Sequence, residues 1–96
     1  MDRNQILTII RNEKPYLHEH FGLLSIGLFG SFARGEQHLG SDIDFLVELS
    51  SPSFESLAGL QIDIEKRLRH PVELIRKRKG MRASFLKRIE RDLHHA

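Results

Sequence analysis

The stretch Ser41-Asp42-Ile43-Asp44-Phe45-Leu46-Val47-Glu48-Leu49 limits the possible folds more than any other part of the chain. Ile43, Phe45 and Val47 alternate with Asp42, Asp44, Leu46 and Glu48, and a period of two belongs to a strand whose faces differ. Leu23 to Phe29, an apolar run bounded by Gly22 and Gly30, reads as a buried strand that can pair with it, and Val72 to Ile75 as a third. Between the last two, Phe54, Leu57, Leu60, Ile64 and Leu68 recur three or four apart, which predicts an amphipathic helix over 54–69, ended by His70-Pro71.

The remaining segments fit around that sheet. Ile6, Leu7, Ile9 and Ile10 mark a helix from about Asn4 to Asn12, capped by Asp2 or Asn4. Pro15 lacks an N–H and restricts the residue before it, so a break or kink is expected near Lys14. A second helical turn then runs from Pro15 to about His20, with Gly22 as its stop. Ser31 to Gly35 suits one helical turn, 36–41 a polar loop, Ser50 to Ser53 a turn and Arg76 to Gly80 a basic loop. Phe85, Leu86, Ile89 and Leu93 predict a last helix. The expected fold is α/β in the α+β sense: a small mixed sheet flanked by helices, one domain over residues 1–96.

Composition removes several classes of function. With no cysteine, neither a disulfide framework nor a thiolate zinc site is available, and the chain suits a reducing cytoplasm. The first residues lack a signal-peptide pattern, and no apolar run approaches the roughly 18–20 residues that span a bilayer. The six histidines form no ligand motif. Most of the 15 Lys and Arg lie between Lys66 and Arg91, which fits either an anionic partner or solvated helix surfaces.

The chemistry-bearing residues lie where strands end. Gly30-Ser31 follows the first strand and opens a helical turn, so its backbone N–H groups can bind an anion such as phosphate, although a strand–helix turn also uses glycine for steric reasons alone. Asp42 and Asp44, two apart on one strand face, have Cα atoms about 6.5–7 Å apart and can share hard cations such as Mg²⁺. Asp42 also fits a turn cap. Asp44 does not, because it sits inside an apolar strand, where a carboxylate needs a cation or hydrogen-bond donors. Glu73, between Val72 and Leu74, can face the two aspartates if its strand pairs with theirs; otherwise it is an edge-strand glutamate in solvent. Three carboxylates without a cation would repel one another.

Gly30-Ser31-Phe32-Ala33-Arg34-Gly35-Glu36, followed after ten residues by Asp42-Ile43-Asp44 on a strand, resembles the minimal nucleotidyltransferase (MNT) proteins of the DNA polymerase β-like superfamily. The resemblance extends from the first helix through Val72-Glu73-Leu74-Ile75. It implies that Gly30 and Ser31 meet the nucleotide phosphates, that Arg34 reaches a phosphate or its partner, and that Asp42, Asp44 and Glu73 are catalytic and hold Mg²⁺, two ions in all. Glu73 stands where the family usually has aspartate. The implied reaction moves a nucleoside monophosphate from a triphosphate, ATP, to a hydroxyl. MNT proteins of this kind resemble antitoxins paired with HEPN-type RNase toxins, some of which receive AMP on a tyrosine. A HEPN toxin is therefore the expected partner, and nucleic acid is not. Two rivals remain: a non-catalytic antitoxin that neutralises by steric contact, and transfer to a small molecule or RNA end, suggested by the basic C-terminal third.

Overall fold

The computed structural model describes residues 1–96. Its elements in chain order are α1 (Arg3–Phe21), β1 (Leu23–Phe29), α2 (Ser31–Arg34), β2 (Ile43–Leu49), α3 (Phe54–Leu68), β3 (Val72–Arg76), α4 (Ala83–Glu90) and β4 (His94–His95). The strands form one sheet in the order β3-β2-β1-β4. β1 runs antiparallel to β2 and β4, while β2 and β3 are parallel, joined by α3. The mixed sheet with flanking helices is the expected α+β arrangement.

The alternation along β2 sorts the two faces. Ile26 and Leu28 of β1 stand opposite Val47 and Phe45 of β2, and all four are buried. Ile6, Leu7, Ile10 and Leu17 of α1 and Leu60, Ile64 and Leu68 of α3 close over that face to make the core. Each such side chain contributes roughly 1.5–3 kcal/mol through burial. At the solvent edge of the helix pair, Arg67 of α3 lies 2.6 Å from Glu13, bonds Asp63 and stacks 4.7 Å over the Tyr16 ring.

Three expectations need correction. Pro15 does not break the first helix: α1 continues from Arg3 to Phe21. Pro15 is exposed and the Arg11 carbonyl it orphans lies on the solvent side, while Ile10 and Leu17 on either side are fully buried. Burial of the apolar stripe outweighs one lost hydrogen bond. The predicted strand over 42–49 begins at Ile43, leaving Asp42 just ahead of it. The last helix also stops at Glu90, and Leu93 leaves the helical stripe to fill the space over Gly27. A Cβ on Gly27 would stand 2.9 Å from Leu93 Cγ, so the missing side chain is the seat of that leucine. His94 and His95 then pair with β1 as a strand not expected from the sequence.

Candidate active site

The other sheet face carries the polar residues. Register places Phe29, Asp44 and Glu73 on one rung across β1, β2 and β3, with Gly27, Leu46 and Ile75 on the rung behind. The expected pairing of the Glu73 strand with the Asp44 strand is therefore present, and Glu73 lies directly beside Asp44 in the parallel register. β3 is at the sheet edge and Glu73 is exposed.

Asp44 is held at a half-buried position by the sheet. Its carboxyl is pushed up to about 6, first because burial penalises the ion, then because the charges of Glu73 and Asp42 lie close; Arg34 opposes these effects. The parallel register of β2 and β3 thus sets Asp44 and Glu73 side by side, with Asp42 two residues before Asp44.

Gly30 fits around the same carboxylate. It has φ 80 and ψ −157, a conformation that disfavours a side chain. A Cβ there would collide with Asp44 Oδ2 and stand 3.2 Å from Asp44 Cγ. The glycine is required twice: by its backbone, and because Asp44 occupies the room a side chain would take. Immediately after it, α2 begins at Ser31 and presents first-turn N–H groups with no partner inside the helix. Phe32 and Ala33 bury this short helix, Phe32 edge-on to His70 at 5.3 Å, and Arg3 donates to the Ala33 carbonyl at 2.8 Å. The position of the Gly30-Ser31 turn is therefore fixed by packing.

Asp42 is exposed at the mouth of β2. Its loop is fastened on both sides: the Ser41 hydroxyl accepts from the His38 N–H at 3.0 Å, and the Ile43 N–H donates to the Pro71 carbonyl at 3.1 Å. Arg34 lies at the edge of the site and donates to Asp92 at 2.8 Å and to Glu36 at 3.0 Å. Both acids raise its pKa. Asp92 is the site-edge residue that sequence reasoning missed, since 58 positions separate it from Arg34 and no local pattern joins them. It is brought there because Leu93 and β4 pin the C-terminal segment onto β1.

The donor set fits Mg²⁺. No three acidic or histidine side chains close into a cage around one point. Mg²⁺ uses one or two carboxylates together with water and substrate phosphate oxygens, so an open acidic rung beside a phosphate cradle matches its chemistry. Asp42, Asp44 and Glu73 are the residues that would hold it.

Comparison with known proteins agrees with this geometry. The nucleotidyltransferase domain family matches residues 10–94. A Methanocaldococcus jannaschii protein named as a candidate protein adenylyltransferase is 41% identical over 93 residues, 94% of this chain and 93% of its own. The protein adenylyltransferase MntA of Thermococcus cleftensis is 33% identical, covering 93% of this chain and 90% of its own. Among solved structures, a candidate minimal nucleotidyltransferase superposes with a TM-score of 0.73 at 24% identity, over 98% of this chain and 95% of that one. A toxin–antitoxin complex with AMP-PNP superposes with a TM-score of 0.68 at 23% identity, over 99% and 72%. At these identities the structures speak for the fold.

Proposed function

Since the chain belongs to the nucleotidyltransferase domain family, we propose that it moves AMP from ATP to a tyrosine hydroxyl of a HEPN-type toxin and acts as that toxin's antitoxin. The observation that carries the reading is the fit of the Asp44 carboxylate into the space left by Gly30, which joins the phosphate cradle and the acidic rung into one site. The names of the relatives support a protein acceptor. One structural neighbour is a tri-AMPylated HEPN toxin of Shewanella oneidensis with its MNT antitoxin, which supports the kind of partner.

In this reading the Gly30-Ser31 amides bind the triphosphate and hold it in line. Glu73 takes the proton of the attacking hydroxyl, the hydroxyl oxygen bonds the α-phosphorus as the bond to the β-phosphate breaks, pyrophosphate leaves, and Arg34 leaves Asp92 and Glu36 to meet phosphate charge. Mg²⁺, two ions in this reading, would be held by Asp42, Asp44 and Glu73 and would neutralise charge on the reacting phosphate. As the family usually has aspartate at position 73, the additional methylene of Glu73 moves that carboxylate outward by about one C–C bond.

The test is incubation with ATP labelled in its α-phosphate, Mg²⁺ and a HEPN protein from the same genome. Label is expected on the HEPN protein with the wild type, and less by about 100-fold or more with Asp44→Ala. No label in either reaction, with neutralisation retained, selects instead an antitoxin that works by steric contact.

A further inference from the structure

We propose that the 77–82 loop and the first turns of α4 form the docking site for an acidic protein segment carrying a bulky apolar side chain, on the acceptor side of the site. This rests on the nucleotidyl-transfer reading for its purpose, though not for its binding chemistry. Ile75, Arg78, Gly80, Met81, Arg82 and Phe85 line a surface cavity of about 370 Å³. Ile75 lies on the same face of β3 as Glu73, two residues further along, so the cavity adjoins the acidic rung. The Lys77 N–H donates to the Val47 carbonyl at 2.8 Å, which fastens the start of the loop to the sheet.

Its position relative to the phosphate cradle gives the direction of use. Gly30-Ser31 lies at the β1 side of Asp44, and Glu73 lies at the β3 side. In-line displacement puts the leaving and attacking oxygens on opposite sides of the reacting phosphorus. With the triphosphate at β1, the attacking hydroxyl comes in from β3, over the cavity.

Charge and shape give the occupant. Arg76 to Arg91 contains eight Lys and Arg and one acid, Glu90. None of those eight is in an ion pair, whereas Arg34 and Arg67 elsewhere each hold two acids. Unpaired cations around an apolar cavity complement an acidic segment with an apolar anchor. Single-stranded RNA binders stack successive bases on several aromatic side chains. Phe85, 39% exposed, is the sole aromatic residue after Phe54, so this strip lacks such a platform.

Fluorescence anisotropy with the full chain tests the proposal. The probes are a glutamate-rich peptide with one central phenylalanine, the same peptide with alanine there, a lysine-rich peptide and a single-stranded RNA of matched charge. The phenylalanine peptide is expected to bind tightest, and Arg78→Glu with Arg82→Glu to weaken it by roughly 10-fold or more. Phe85→Ala is expected to remove the preference for phenylalanine over alanine while leaving the alanine peptide unchanged. No binding of the acidic peptides to the wild type, equal binding to the charge-reversed variant, or tighter binding of RNA overturns the proposal. Fluorescent ATP binding, followed in parallel, reports separately on the nucleotide reading and is expected to be the same in all variants.

Discussion

Phe45 and Asp44 are neighbours on β2, yet Phe45 is sealed from solvent beneath α1 and α3 while Asp44 is half-buried on the opposite face among other acids. One face was built from alternation and helical stripes and is satisfied by packing. The other leaves like charges together, at a cost to the folded state that a bound cation would offset. What holds the second face in place is the first: Asp44 cannot retreat, because its strand is anchored by Ile43, Phe45 and Val47, none with measurable exposure.

Substitution at the two positions should break the comparison apart most visibly. Phe45→Ala is expected to lower stability by about 3–5 kcal/mol in denaturant unfolding, because the helix-packed face cannot collapse around the void. Asp44→Ala is expected to cost little or no stability and to reduce AMP transfer by about 100- to 1,000-fold, followed by label incorporation. Gly30→Ala couples the faces: a positive φ and collision with the Asp44 carboxylate are expected to cost about 1–3 kcal/mol and to depress transfer as well.

pH sharpens the contrast on a smaller scale. The Asp44 carboxyl titrates at about 6 in the folded chain and near 4 when unfolded. The folded state therefore binds the extra proton between those values, so this group makes stability fall as pH rises from about 4 to about 6, and the loss persists above 6. Because Asp44 keeps solvent contact, the effect is on the order of 1 kcal/mol. Thermal melts in the absence of metal should show this slope in the wild type and lack it in Asp44→Asn. Smaller still, Asp92→Asn should leave the melting temperature within about 2–4 °C and alter KM for ATP more than kcat, because Asp92 holds Arg34 at the rim of the site.

Much of the helix-packed face was legible in the sequence because it obeys local periods. The period of two in β2 and the three-to-four spacing from Phe54 to Leu68 each name their own element. The acidic rung was legible in outline, since Asp44 interrupts an apolar strand. Its detail was not. The Gly30–Asp44 fit depends on the register of β1 against β2, which no local pattern carries. Pro15 misled because tertiary burial of Leu17 and Ile10 overrides a local breaker. β4 escaped notice because two histidines show no alternation, and their pairing depends on Leu93 finding Gly27.

The central claim is that Asp44 is kept for chemistry against the interest of stability. Asp44→Asn, compared with the wild type at pH 7, tests it in one melting experiment without metal, paired with one labelling reaction with Mg²⁺. The account predicts a higher melting temperature together with loss of AMP transfer. A lower melting temperature with transfer retained would contradict it.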